Sequence, residues 1–267
     1  MGKLFAAIVA VITVVSTAIF LSKRWWLPPD ISVLGVGIDH QLIETMVACG
    51  VLFVASQLAL ALFVWQAAVR GDEQAIRIFP GGALPMVVFA SVLVGIEIVV
   101  LSLVGTRVWA RIFLSPPGAD ALHIDVQAEQ FAYYFRYPGP DGKFGAVHPE
   151  LIDEANYNFF GLDPANDTTA RDDIVSGSLV IPVNQPILLS MHAKDVGHAF
   201  YVPELRIQQD FVPGLVIPLH FTATHTGKYE LVCTQLCGLG HYNMKAYVEV
   251  MTPDQFAQWL KDQAAQQ

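Results

Sequence analysis

Three long apolar runs in the first 112 residues limit what this chain can fold into more than any other feature. Residues 4–21 and 46–69 contain no charged side chain, and residues 84–104 contain one, Glu97. A helix that crosses a bilayer core needs about 20 mostly apolar residues, and each run comes close to that. Helices are therefore expected near 4–22, 45–70 and 83–106. The first run has Lys3 before it and Lys23-Arg24 after it, so it reads either as a retained helix or as a signal peptide; no clear small-x-small cleavage site precedes Lys23. Arg70 and Arg77 in the segment 70–80 favour a cytoplasmic loop there, which leaves residues 113–267 outside. Lys23, Arg24, Arg107 and Arg111 then also lie outside, so orientation rests more on the chemistry of the second half. A carboxylate within such a run is expensive and often functional. Glu97 reads either as part of a proton path or water-filled cavity, or as a side chain reaching water near a helix end.

The second half is of another kind. Residues 1–112 carry 7 Lys/Arg and 6 Asp/Glu, whereas residues 113–267 carry 8 and 18, a net −10. That acidity argues against nucleic acid and favours a basic partner or simple solubility. Ser115-Pro-Pro-Gly-Ala-Asp120 marks a linker, placed at 113–120. Short runs rich in β-branched and aromatic residues follow at 123–126, 131–137, 179–183, 187–191, 199–202, 215–222, 229–233 and 244–251, with Pro, Gly, Asn and Asp between them. This pattern predicts an antiparallel sandwich or barrel over 121–251. Residues 144–178 read as a long surface excursion. Thr252-Pro253-Asp254 predicts the N-cap and first turn of a terminal helix, 252–267.

The chemistry concentrates in Cys233-Thr-Gln-Leu-Cys237-Gly-Leu-Gly-His241-Tyr-Asn-Met244. Two thiolates, an imidazole and a thioether form a soft donor set that suits copper. Gly238 and Gly240 give the backbone freedom to fold around an ion. A loop alone cannot close every side of a metal, so a distant ligand is expected. His198, following a Gly at the head of an apolar stretch, is the candidate; His192 and His220 compete, and His225 reads as a turn residue. One cysteine would give a mononuclear site, and two thiolates bridging two metals suit a pair of coppers. The competing readings are a local disulfide and a structural zinc, for which Met is a poor ligand. Cys49, inside an apolar run, reads as a small hydrophobe.

The Cys-x-Gln-x-Cys-x-x-x-His-x-x-Met pattern, with Asp195-Val-Gly-His198-Ala-Phe-Tyr-Val-Pro203 and Asp210-Phe-Val-Pro213-Gly214, resembles subunit II of the haem-copper cytochrome c oxidases. The likeness is close over about 120–250. It implies a membrane-anchored all-β protein, with two or three N-terminal transmembrane helices and a cupredoxin-like Greek-key β-sandwich. It also implies a dinuclear copper centre, CuA, that accepts electrons from cytochrome c. Haem in subunit I receives them, and oxygen is reduced to water there. By position, His198, Cys233, Cys237, His241 and Met244 match the copper side-chain ligands, and Gln235 matches the weak backbone-carbonyl ligand. Many members have Glu at that position, where it also reaches a magnesium or manganese ion at the subunit interface. A neutral Gln is a poorer ligand for a hard cation, which weakens the case for that second metal. Phe131 stands where a Trp commonly receives electrons, with Tyr133 as a possible substitute. The family usually has two helices and an acidic residue near the start of the second; this chain has an additional run before them, and Gly81-Gly-Ala-Leu-Pro85-Met lacks that acid. Either Glu97 or a residue of subunit I would take the role, or the proton path differs. The implied setting is a bacterial inner membrane with the copper domain on the periplasmic side. The implied partners are oxidase subunits, a c-type cytochrome and lipid. A nitric oxide reductase of the same superfamily would carry the same input centre. A copper-storage protein would favour Met-rich or His-rich tracts, and this chain has six Met; quinol oxidase subunits lack the two cysteines.

Overall fold

The computed structural model of the protein describes residues 1–24, 26–70, 84–115 and 117–265. Arg77 and residues 81–83, used above for orientation and for the missing acid, lie outside them. The chain divides into two compact units: residues 1–27 with 37–111, and residues 28–36 with 112–267.

The first unit is helical. Helices α1 (Gly2–Leu21), α2 (Gly35–Arg70) and α3 (Leu84–Phe113) are all long and apolar enough to cross a membrane. At 1.5 Å per residue α2 is about 54 Å long, well beyond a bilayer core of about 30 Å. It starts at Gly35, ahead of the apolar run, because Asp39, His40, Gln41 and Glu44 are compatible with helix and need only water or headgroups around them. Small residues let the helices approach. A Cβ on Gly2 would come within 2.9 Å of the Ala68 Cβ, and one on Gly37 within 3.5 Å of Val108.

The second unit is a sandwich of two five-stranded sheets. One has the order β3 (Ile174–Ser176), β2 (Ala132–Tyr137), β1 (Leu122–Glu129), β5 (Pro186–Ala193), β8 (Ile217–Thr222). The other has β4 (Leu179–Pro182), β10 (Lys245–Met251), β9 (Gly227–Val232), β6 (His198–Val202), β7 (Ile207–Phe211). The chain crosses between sheets after β3, β4, β5, β7 and β8, in Greek-key fashion. The expected all-antiparallel pairing does not hold: β1 runs parallel to β5, and β4 to β10. Neither pair is consecutive in sequence, so crossovers rather than hairpins set their direction. Strands β3 and β7 fall outside the predicted runs. Both are sheet edges, where Gln208, Gln209 and Asp210 face water without cost.

The inner faces supply the core. Tyr133, Phe135 and Tyr137 alternate inward along β2 and are essentially inaccessible to solvent. Tyr133 packs on Phe211 and Phe200 on Phe221, at centroid distances of 6.0 and 6.4 Å. The helix α4 (Pro253–Ala264) starts at a capping box between Thr252 and Gln255 and lays Phe256 and Trp259 against Tyr137.

Two segments are more tightly held than their composition suggests. Residues 28–36, between α1 and α2, are bonded into the sandwich. Ile31 donates to the Glu204 carbonyl (2.9 Å) and accepts from Thr224 N–H (2.7 Å), and Ser32 bridges to Ala223. The stretch 144–178, expected as a surface excursion, buries Phe160, Ala170 and Asp173. Arg136 holds it to the sheet: its guanidinium bonds Asp125 (2.8 Å) and the Gly145 carbonyl (3.2 Å), lies 3.5 Å from Asp173, and faces the Phe144 ring.

An ion cluster this buried loses far more when one partner is deleted than it contributes when intact. Arg136→Ala is therefore expected to destabilise the β unit by about 3–5 kcal/mol, measured by chemical denaturation of the purified chain. Burial pushes the Asp173 carboxyl up to about 6, against the lowering effect of the Gly145 N–H and Arg136. Its folded value lies above its ordinary one of 3.8, so its contribution to stability is full below about pH 4 and is lost as pH rises through about 6. An unfolding midpoint followed across that window should show the fall in wild type and lack it in Asp173→Asn.

Candidate metal centre

Strand β9 ends at Val232, and Cys233 follows it directly. The loop returns to β10, whose Lys245 pairs with Val232, and Cys233 N–H donates to the Met244 carbonyl at 3.2 Å. The two ends of the loop are thereby fixed as neighbours in a ladder, and the loop must fold back on itself. Its last turn, His241–Asn243, is 3₁₀, with His241 N–H on the Gly238 carbonyl (3.1 Å). Gly238 has φ +135°, which side chains rarely adopt.

This folding gathers the sulfurs. Cys237 Sγ lies 3.9 Å from Cys233 Sγ, 3.6 Å from His241 Nδ1 and 3.7 Å from Met244 Sδ. Cys233 Sγ sits 3.1 Å from the Gln235 carbonyl oxygen, while the Gln235 side chain is exposed. Both cysteines are buried and free. Their separation is nearly twice a disulfide bond. It matches the ~3.8 Å expected for two sulfurs bound to one metal at ~2.3 Å each in tetrahedral geometry.

His198 closes the site from β6. It is fully buried, and its ring and the two thiols offer ligand atoms all within 4.8 Å of one another. Its Nε2–H donates to Asp195 Oδ1 at 2.8 Å, which leaves Nδ1 buried and without a hydrogen-bond partner. A carboxylate on the far nitrogen is the usual way a metal-binding imidazole is oriented. Burial alone would raise the Asp195 pKa; hydrogen bonds from His198, Gln130 N–H and Val196 N–H outweigh it and hold the group below its ordinary value. Burial, and then Cys233, push the Cys237 thiol up to about 11. Thiolates here need a cation beside them. The bare nitrogen, the two disulfide-free thiols and the thioether fit a soft metal ion.

Among the sequence-predicted residues, His198, Cys233, Cys237, His241, Met244 and the Gln235 carbonyl come together. Phe131 lies over the loop: a Cβ on Gly240 would meet its ring at 2.5 Å and one on Gly238 at 3.2 Å. Its ring is partly exposed (39%), whereas Tyr133 is buried at 2%. Contact with a second protein is therefore open to Phe131 and closed to Tyr133. Glu97 belongs to the helical unit, half-buried on α3. None of the competing histidines joins the cluster. His220 donates to the Ile112 carbonyl (2.8 Å), His225 pairs with Thr224, and His192 stands on β5, where burial lowers its pKa. Sequence reasoning gave no role to Asp195 or Gln130. Gln130 Nε2 donates to the Cys237 carbonyl at 2.5 Å. The Asp-x-x-His spacing was a usable signal for Asp195, and the place of Gln130 at the head of the aromatic run was one for Gln130.

Residues 151–251 match the family described as "Cytochrome C oxidase subunit II, periplasmic domain". An alternative cytochrome c oxidase subunit 2 of Bradyrhizobium diazoefficiens is 31% identical, covering 97% of this chain and 91% of that one. A cytochrome c oxidase subunit 2 of Thermostichus vulcanus is 30% identical over 80% of this chain and 71% of its own. The crystal structure of the periplasmic domain of a Bradyrhizobium japonicum cytochrome oxidase subunit II is also similar, with 25% identity, 56% of this chain and 97% of that one covered, and a TM-score of 0.41. The first of these relatives aligns over nearly the whole chain and the second over four-fifths of it, and on that footing the chain belongs to the cytochrome c oxidase subunit 2 family.

Proposed function

We propose that this chain is the electron-input subunit of a membrane-bound terminal oxidase, with His198, Cys233, Cys237, His241 and Met244 holding two copper ions and the Gln235 carbonyl as a weak sixth donor. The observation that carries this reading is the buried, partnerless Nδ1 of His198, on a ring that offers a ligand atom within 4.8 Å of two free cysteine thiols. Two copper ions held there supply a one-electron relay from a c-type cytochrome to haem in subunit I, where oxygen is reduced to water. The chain's own residues set the conditions for that relay. Asp195 fixes the His198 ring, and the buried sulfurs exclude water. Phe131 joins the exposed surface to the loop. Around it Leu236, Leu239 and Tyr242 are 80–97% exposed, an apolar rim suited to another protein.

The same reading places the β unit on the periplasmic side of a bacterial inner membrane, with α1–α3 in lipid and subunit I as the permanent partner. The exposed Gln235 amide offers no carboxylate for magnesium at that interface. Glu97 is proposed as a proton-carrying group of the anchor, because a carboxylate on a membrane-crossing helix is retained at a free-energy cost.

The purified full chain loaded with copper is expected to be purple, to hold two copper ions, and to show an unpaired electron coupled to two copper nuclei. Cys237→Ser should abolish or convert that signal, and a colourless wild type would sink the reading. In the assembled complex, reduced cytochrome c should drive oxygen uptake; nitric oxide consumption without oxygen uptake would assign the chain to a nitric oxide reductase instead. Phe131→Leu should keep the copper content and slow reduction by cytochrome c at least about tenfold, a loss of ~1.4 kcal/mol in barrier terms, measured by stopped flow.

A further inference from the structure

Strand β2 points two tyrosines into the sandwich, and each sends its hydroxyl across to the backbone of the facing sheet. Tyr137 accepts from Val180 N–H (2.6 Å) and donates to the Val180 carbonyl (3.0 Å) on β4. Tyr133 donates to the Ala199 carbonyl on β6 at 2.6 Å. Ala199 is the residue after His198. The Tyr133 ring also packs on Phe211, the residue paired with His198 in the β6–β7 ladder. Tyr133 is thus bonded to the backbone on one side of His198 and touches its cross-strand partner on the other.

A hydroxyl 2% exposed must be hydrogen-bonded, and any carbonyl of the facing sheet would satisfy it. The one it uses belongs to the ligand-bearing strand. The same hydroxyl lies within hydrogen-bonding reach of the Cys233 sulfur, so its dipole stands beside a thiol. Phenylalanine would fill the same space and pack on Phe211 equally well.

We propose that the Tyr133 hydroxyl is a positioning group for the metal centre: through the Ala199 carbonyl it fixes the strand that presents His198, and so tunes the centre's affinity for an electron. Hydrogen bonds and polarity around a copper–thiolate site set its potential, and groups that orient a ligand act on the same quantity. The proposal rests on the copper reading above. It also gives Tyr133 a task that does not require contact with the electron donor.

The test compares the copper-loaded full chain with Tyr133→Phe and with Tyr137→Phe, which removes an equally buried hydroxyl from the same strand. All three are titrated optically against redox mediators, and copper content and melting profiles are recorded. Tyr133→Phe is expected to hold two coppers while its electron-partition constant changes by about three- to tenfold, tenfold being ~59 mV for one electron, and its purple band moves. Tyr137→Phe is expected to lose stability and leave both unchanged. Equal potentials and bands in Tyr133→Phe and wild type would overturn the proposal, as would the same shift in Tyr137→Phe. Loss of copper from Tyr133→Phe alone, with a melting profile no worse than that of Tyr137→Phe, would support it. Should Tyr133→Phe fail to fold, fluorotyrosine at position 133 keeps the ring and strengthens the donor; a shifted potential then supports the proposal and an unshifted one overturns it. A wild-type chain that takes up no copper would instead remove the reading on which the proposal stands.

Discussion

The hydrogen bond from His198 Nε2 to Asp195 decides the chemistry of everything around it. It fixes the imidazole with its other nitrogen buried and without a hydrogen-bond partner, in a ring that stands beside the two thiols. Thiols and a thioether bury readily, but an imidazole nitrogen taken from water needs a partner. On the copper reading proposed above, a bound cation would be that partner. Much of the surrounding structure can be understood as support for it: the β9–β10 ladder that fixes the loop ends, Gln130 on the Cys237 carbonyl, and Tyr133 on the carbonyl beside His198.

The acidic balance of the second half bears on the site less than its size suggests. Asp195 is committed to three hydrogen bonds. Glu129 is buried and paired with Lys194, which also holds Glu154. The carboxylates next to the loop therefore serve the fold, and the large apolar side chains that face outward from the loop itself are Leu236, Leu239 and Tyr242. Net charge describes the long-range field of the unit and says little about the few ångströms in which another protein would touch it.

Much of this was legible in the sequence. Apolar length gave the three helices, because a bilayer core imposes one simple requirement. Donor softness and spacing pointed to the loop side chains that the fold gathers, because four such side chains within twelve residues have few other uses. Contacts that depend on where distant segments happen to lie were not legible. The parallel pairs β1–β5 and β4–β10 follow from crossovers, which leave no local trace. Strands β3 and β7 are edges whose outward residues need not be apolar. Residues 28–36 have no strand pattern, yet their backbone completes the ladder beside Ala223 and Thr224. Nothing in the aromatic strand marks Arg136 for burial; its place beneath 144–178 depends on Asp125 and Asp173 arriving from two other places.

The seating of Phe131 on Gly238 and Gly240 makes the centre less portable than its sequence motif suggests. The twelve-residue loop contains nearly all the proposed ligands, and another sandwich with a matching β9–β10 hairpin would accept its ends. Such a graft would leave behind the β1–β2 corner, where Gln130 holds the Cys237 carbonyl and the Phe131 ring fills the space that the two glycines leave open. The unit that could be moved to a new scaffold is therefore loop and corner together, two pieces about a hundred residues apart that meet as one surface.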